Sequence, residues 1–129
     1  MSRIATVGSI TENLLDFKPL IERALVVAEG SHTFDQIVHG VLGGQYHFYP
    51  LNSSFIIMEV IVYPMRKSYH CFLAGGNTEE LLAAQKGFIA DNARALHCDR
   101  LSFTGRKGFA RRLKDEGWKE KSVHMTFPL

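Results

Sequence analysis

Cysteine, proline and net charge are all scarce in this 129-residue chain, and each scarcity excludes something. Its two cysteines, Cys71 and Cys98, are too few for a disulfide framework, so a reducing, cytosolic setting is the simplest expectation. A particle assembled inside a cell would look the same. No window approaches the roughly 18 apolar residues needed to span a bilayer. The longest apolar run, Phe55 to Met58, is broken by Glu59, and Met1 to Thr6 holds no apolar run of signal-peptide length. The expectation is a protein that is neither secreted nor membrane-inserted. The six histidines, at 32, 39, 47, 70, 97 and 124, include no i, i+4 pair, and there is no Cys-x-x-Cys, so no metal site is expected. Gly-x-Ser-x-Gly and P-loop motifs are also absent. A net charge of +2 points to no particular class of partner.

What is present suits one compact domain spanning residues 1–129, with an N-terminal segment over 1–30 and a core over 31–129. Nine Phe, four Tyr and one Trp supply bulk for that core. Residues 1–18 are weakly patterned, although Ile4 to Val7 reads as a short strand. Pro19 suits the first turn of a helix, since it lacks an N–H that would be unpaired there. Leu20, Ile21, Ala24, Leu25 and Ala28 follow at helical spacing, and Gly30 stops the run. Thr33 is placed to cap a second helix with the apolar stripe Phe34, Ile37, Val38, Val41 and Leu42, closed by Gly43-Gly44.

Three strands come next: Gln45 to Pro50, Phe55 to Tyr63 and Ser68 to Ala74. The short turns between them predict antiparallel pairing. The β-branched density of the second marks it as central and buried on both faces. Thr78 can cap a single long helix reaching about Leu96, with Glu79 and Glu80 favourably placed in its first turn. Asp99 to Thr104 is a fourth strand, expected to lie parallel to the third after a right-handed crossover. A helix over Arg106 to Glu116, a stop at Gly117 and a last strand over Trp118 to Phe127 complete the chain. The class is α/β: an antiparallel three-strand meander followed by α-β-α-β, with one parallel strand pair in a mixed sheet.

That element order, together with the segment Gly105 to Trp118, an amphipathic helix ending in Gly-aromatic, resembles the GNAT N-acetyltransferase superfamily. Thr33-Phe-Asp35, the aromatic strand Tyr46 to Tyr49, Glu59 to Pro64, Ala74-Gly-Gly76 and Gly105 to Gly108 further resemble small GNAT-like proteins of tailed phages. The resemblance implies an acetyl-CoA site in the splay between the two parallel strands, with the pyrophosphate at the following helix N-terminus. On this chain it would fall on Leu73, Gly75, Gly76 and Asn77. It also implies a general base on a central strand, for which Glu59 is the candidate, and a tyrosine general acid at the position occupied here by Leu113.

The loop Leu73 to Glu80 departs from the family pattern. It is shorter, its basic residue is missing, and Glu79 and Glu80 put negative charge where phosphates would sit, which is repulsive at close range. Two readings therefore stand side by side. One is a phage-type GNAT-like protein without a cofactor, acting through protein partners as a virion, assembly or host-interaction component in the host cytoplasm or the particle. The other is an N-acyltransferase using acetyl-CoA with Glu59 as base. Glu59 could instead pair with His70 or Arg66 and merely support the sheet.

A third feature is electrostatic. Between Arg100 and Lys121, eight basic residues face only Asp115, Glu116 and Glu120. Lys107, Arg111 and Lys114 share one helical face, with Arg106 just before it. Such a face is either solvated or a contact for an acidic partner or nucleic acid, although no nucleic-acid motif accompanies it.

Overall fold

In the computed structural model, residues 7–129 are described, with side chains from Ile10 onward. The candidate strand at Ile4 falls outside them except for Val7, which opens a helix instead. This helix, α1 (Val7–Asp16), is followed by α2 (Lys18–Val27) and α3 (Phe34–Leu42). The sequence pattern of α1 looks weak because, among the described side chains of this helix, Leu14 is the one fully enclosed. Pro19 lies in the first turn of α2 as expected. Thr33 and Gln36 form a reciprocal capping box at the start of α3.

The sheet has four strands in the order of the chain: β1 (His47–Pro50), β2 (Phe55–Val62), β3 (Lys67–Gly75) and β4 (Arg100–Phe103). The first three pair antiparallel, and β3 and β4 pair parallel. Strand β2 is buried on both faces only from Phe55 to Met58. From Glu59 onward it emerges, and Val62 is exposed.

The helices cover both faces. On one face, α1, α2 and α3 pack Leu14, Ile21, Leu25, Phe34 and Ile37 against Phe55, Ile57 and Leu73 of the sheet. On the other, Leu81, Ala84, Ile89 and Ala93 pack against Ile56, Met58, Tyr69 and Cys71, with Phe103 and Phe109 at the margin. The Cys71 thiol is fully enclosed, and burial pushes its pKa up to about 12, so it is an inert core residue.

Three elements differ from the sequence reading. The long helix is divided into α4 (Thr78–Ala84), a π-helical turn (Gln85–Ile89) and α5 (Ala90–Ala95). Gly87 carries the non-helical backbone that makes this possible, at φ −97°, ψ −113°. The cap of α4 is Asn77 rather than Thr78. The strand expected over Trp118–Phe127 does not form. After α6 (Lys107–Asp115), Gly117 at φ +95° closes the helix, with the Trp118 N–H donating to the Leu113 carbonyl at 3.1 Å. A Lys114–Glu120 ion pair at 3.5 Å then links Glu120 to α6. Residues 119–129 are exposed. Alternating apolar residues favour extended backbone, but a strand also needs a partner edge for its N–H and C=O groups.

Candidate functional site

Two local features of β3 shape the middle of the sheet. Ile57 pairs with Leu73 and Met58 with Cys71, which leaves Phe72 as an extra residue on β3. This bulge lets Phe72 and Leu73 both pack toward the α1–α3 side. The second feature is a splay. Pairing of β3 with β4 ends at Cys71 and Phe103, with the Thr104 N–H donating to the Cys71 carbonyl at 3.3 Å. Strand β3 continues to Gly75, paired only with β2.

Just before the bulge, a polar row crosses the sheet on the α1–α3 face. Glu59 pairs in register with His70, and His70 with Ser102. Tyr46 precedes the His47–Met58 pair by one residue and so lies beside Glu59. The His70 Nδ1 and Ser102 Oγ are hydrogen-bonded at 2.8 Å. The His32 ring packs edge-on to Tyr46 and tilted over Phe72, with centroids 6.3 and 5.6 Å apart. His32 and Tyr46 also line an open depression of about 500 Å³ with Gln36, His39, Gly40, Gly43 and Gln45.

Glu59 is half-buried in this row. Burial raises its carboxyl pKa, partly opposed by the nearby His32. The Glu59 charge in turn contributes to raising Tyr46, behind burial. Among the described residues Glu59 has neither the His70 nor the Arg66 ion pair considered from the sequence. His70 is engaged by Ser102, and Arg66 is exposed in the β2–β3 turn. A half-buried carboxylate in this state can accept a proton or hold a cationic group.

The sign of its titration yields a test. A carboxyl pKa raised by folding means that folding penalises the ionised form. The associated stability is present below the usual carboxylate range and is lost as pH rises through the elevated value. Replacing Glu59 with Gln is therefore expected to raise the melting temperature at pH 8, with the gap closing toward pH 4. A melting series across that range checks it, and a gap independent of pH would contradict the assignment. His47 and His70 titrate with the opposite sense, because burial lowers both. Burial of these two residues is common to both proteins, so that part of their contribution cancels in the difference.

The loop Leu73 to Glu80 has a different character. Leu73 is buried in the core. Gly76 sits at φ +118°, where a Cβ would lie 2.5 Å from the Ser53 carbonyl oxygen and 2.6 Å from the Ser54 Cα. The Asn77 N–H donates to Ser54 Oγ at 2.8 Å, and the Glu80 N–H to Asn77 Oδ1 at 3.0 Å. Glu80 accepts from the Ser53 N–H at 3.0 Å. Glu79 pairs with Arg112 of α6. A diphosphate needs free N–H donors and no opposing carboxylates at this helix end. Here Asn77 and Glu80 have their donors taken by the chain itself, and both acids remain in place, so these residues do not fit the group.

Arg106, Lys107, Arg111 and Lys114 are all exposed. Lys107, Arg111 and Lys114 line a shallow depression of about 270 Å³ with Ala110 and Glu120, and Glu120 pairs with Lys114 within it. Arg112, in contrast, is committed to Glu79.

Sequence reasoning singled out Glu59 but missed the row around it. Counting back from the short β2–β3 turn places His70 opposite Glu59. The bonding of Ser102 and the approach of His32 depend on β4 and on the α2–α3 connection, neither of which leaves a local signal. A second polar cluster was also missed. Tyr69, buried beneath the π turn, shares hydrogen bonds with His47 and Tyr49, and Asn92 donates to Tyr49 at 3.2 Å. Among the described residues no group of His, Cys, Asp and Glu could hold a metal ion, and no helix is long and apolar enough to cross a membrane.

No family model and no curated relative matches the chain. Solved structures do. A probable acetyltransferase superimposes with a TM-score of 0.68 at 14% identity, over 97% of this chain and 94% of that one. The BH1408 protein of Bacillus halodurans, as a tetramutant, gives 0.65 at 13% identity over 98% of each chain. A ribosomal-protein-alanine N-acetyltransferase from Brucella melitensis biovar Abortus 2308 gives 0.58 at 13%, over 88% of this chain and 94% of that one. At these identities the likeness establishes the fold, a mixed α/β sheet of the GNAT-like type.

Proposed function

We propose that this chain is a GNAT-like protein that works by binding rather than by acyl transfer, a phage-type component of a virion, of its assembly or of a host interaction, with protein partners. One observation carries the reading. At the turn where a GNAT enzyme would seat the cofactor diphosphate, the chain's own groups take up donors and keep two acids: Asn77 N–H on Ser54, Glu80 N–H on Asn77, Glu79 on Arg112 and Glu80 on Ser53. Leu113, standing where the family has its tyrosine acid, is a buried core residue, which supports the same reading. The phage-type placement rests on the sequence motifs around Thr33, Glu59, Gly75 and Gly105. Calorimetric titration with acetyl-CoA tests the proposal. No binding heat is expected, and micromolar affinity would overturn it.

An acetyl-CoA-dependent N-acyltransferase is the second reading, favoured by Glu59. Its carboxylate is half-buried with a raised pKa, beside the bulge and just before the β3–β4 splay. If the chain released CoA thiol with an amine acceptor, Glu59→Gln would be expected to reduce that release by roughly 100-fold, the usual scale of a general base. Unchanged release in a thiol-trapping assay would remove Glu59 from the role.

A further inference from the structure

The solvent face of α6 gathers cations that the fold leaves unused. Helical spacing puts Lys107, Arg111 and Lys114 on one side, with Arg106 just before them. Among the described residues, Arg106, Lys107 and Arg111 form no ion pair, whereas Arg112 is held by Glu79. The acids nearby are not equivalent. Glu116 pairs with Lys86, outside this face. Glu120, three residues past the Gly117 turn, lines the 270 Å³ depression with Lys107, Arg111 and Lys114 and pairs with Lys114 at 3.5 Å. The chain thus lays one of its own carboxylates, carried on a non-helical segment, in a depression lined by three cations.

We propose that this depression is a docking site for an acidic, extended peptide segment of a protein partner, with Glu120 standing in for one of the partner's carboxylates. The inference rests on the reading of the chain as a protein-binding component and names the chemistry of that partner. The spacing fits. Lys107 and Arg111 are separated by a rise of about 6 Å along the helix, and acids at alternate positions of an extended peptide recur about every 6.7 Å. Such a peptide can place one carboxylate on each free cation and take Lys114 from Glu120. A nucleic-acid backbone fits less well, because its evenly spaced charges would meet Glu120 within the depression and Asp115 and Glu116 at the end of α6. Glu120 is then an internal competitor: it neutralises Lys114 until a partner displaces it.

Fluorescence anisotropy of the full chain with a labelled peptide of about 12 residues, alternating Glu and Ser, tests this at low salt. Binding is expected, and it should weaken as salt screens the exposed charges. Arg111→Glu should weaken it about tenfold, since it removes one pair and adds a repulsion, and Lys107→Glu should do the same. Glu120→Gln should tighten it about threefold by removing the competitor. Arg23→Glu is the control for net charge. It changes an exposed cation on α2, which packs on the opposite face of the sheet from the cluster bordered by Phe109 of α6, and should leave the affinity unchanged. All four positions are exposed, and an unchanged melting temperature shows that each variant is folded. Absence of binding at 1 mM peptide would overturn the proposal. So would an Arg23→Glu loss equal to that of Arg111→Glu, an unchanged affinity in Glu120→Gln, or tighter binding of duplex DNA of the same total charge, which would assign the face to nucleic acid. The acetyl-CoA titration is independent: a peptide that fails to bind, with no acetyl-CoA heat, removes this site and leaves the binding reading standing.

Discussion

Gly76→Ala is expected to destabilise the protein by about 3 kcal/mol or more, lowering the melting temperature by roughly 12 °C at about 4 °C per kcal/mol for a chain of this size. Two costs add at this position. Its φ of +118° lies where an L-residue is strained. Its Cβ would also overlap backbone atoms of Ser53 and Ser54, which cannot swing aside as a side chain can. Moving that turn would break the Asn77–Ser54 and Glu80–Ser53 hydrogen bonds that fasten the β1–β2 turn to α4. Gly44→Ala is the matched control. It too has positive φ, +81°, but nothing lies within 4 Å of its Cβ, so only the backbone strain of about 1 kcal/mol is expected. Thermal melts of the two variants decide the matter. Equal losses would mean that the Gly76 turn is loosely held and could rearrange around a ligand.

Acetyl-CoA at 1 mM is expected to leave the melting temperature unchanged. The experiment has power because a ligand bound at 10 μM would be present at 100 times its dissociation constant, giving about 2.7 kcal/mol of stabilisation, or roughly 10 °C. The expected silence follows from the occupied donors and retained acids at the start of α4. Glu79 and Glu80 are exposed or half-exposed and already matched to Arg112 and the Ser53 N–H. A diphosphate would have to displace those contacts while meeting both carboxylates. A shift of several degrees would show that the folded chain binds acetyl-CoA, and would return it to the acyltransferase reading with Glu59 as its base.

These two outcomes bear on the same glycine pair. From the sequence, Gly75-Gly76 is ambiguous: a phosphate-approach loop and a tight strand-to-helix turn use the same residues. The structure separates the alternatives by showing what stands behind Gly76, the Ser53–Ser54 turn, which comes from a different part of the chain. The same holds for Glu59. Its isolation within an apolar strand marks it as unusual in the sequence, but its state depends on His32 above it and on Ser102 drawing His70 away.

Local sequence determined the elements with dense periodicity or clear punctuation. The cap at Thr33, the antiparallel meander over residues 47–75 and the Gly117 stop follow from signals within a few residues, because caps, turns and alternating burial are local physics, and the parallel β4 follows from the strand-helix-strand order. Tertiary structure alone decided the rest. Helix α1 forms against a core its own residues barely announce. A π turn at Gly87 interrupts an otherwise continuous helical pattern. Residues 118–127 carry a strand pattern but no strand, since alternation sets which face is apolar while only a second edge can satisfy the backbone. The polar row Tyr46–Glu59–His70–Ser102 likewise belongs to the register of four strands, and no stretch of sequence contains it.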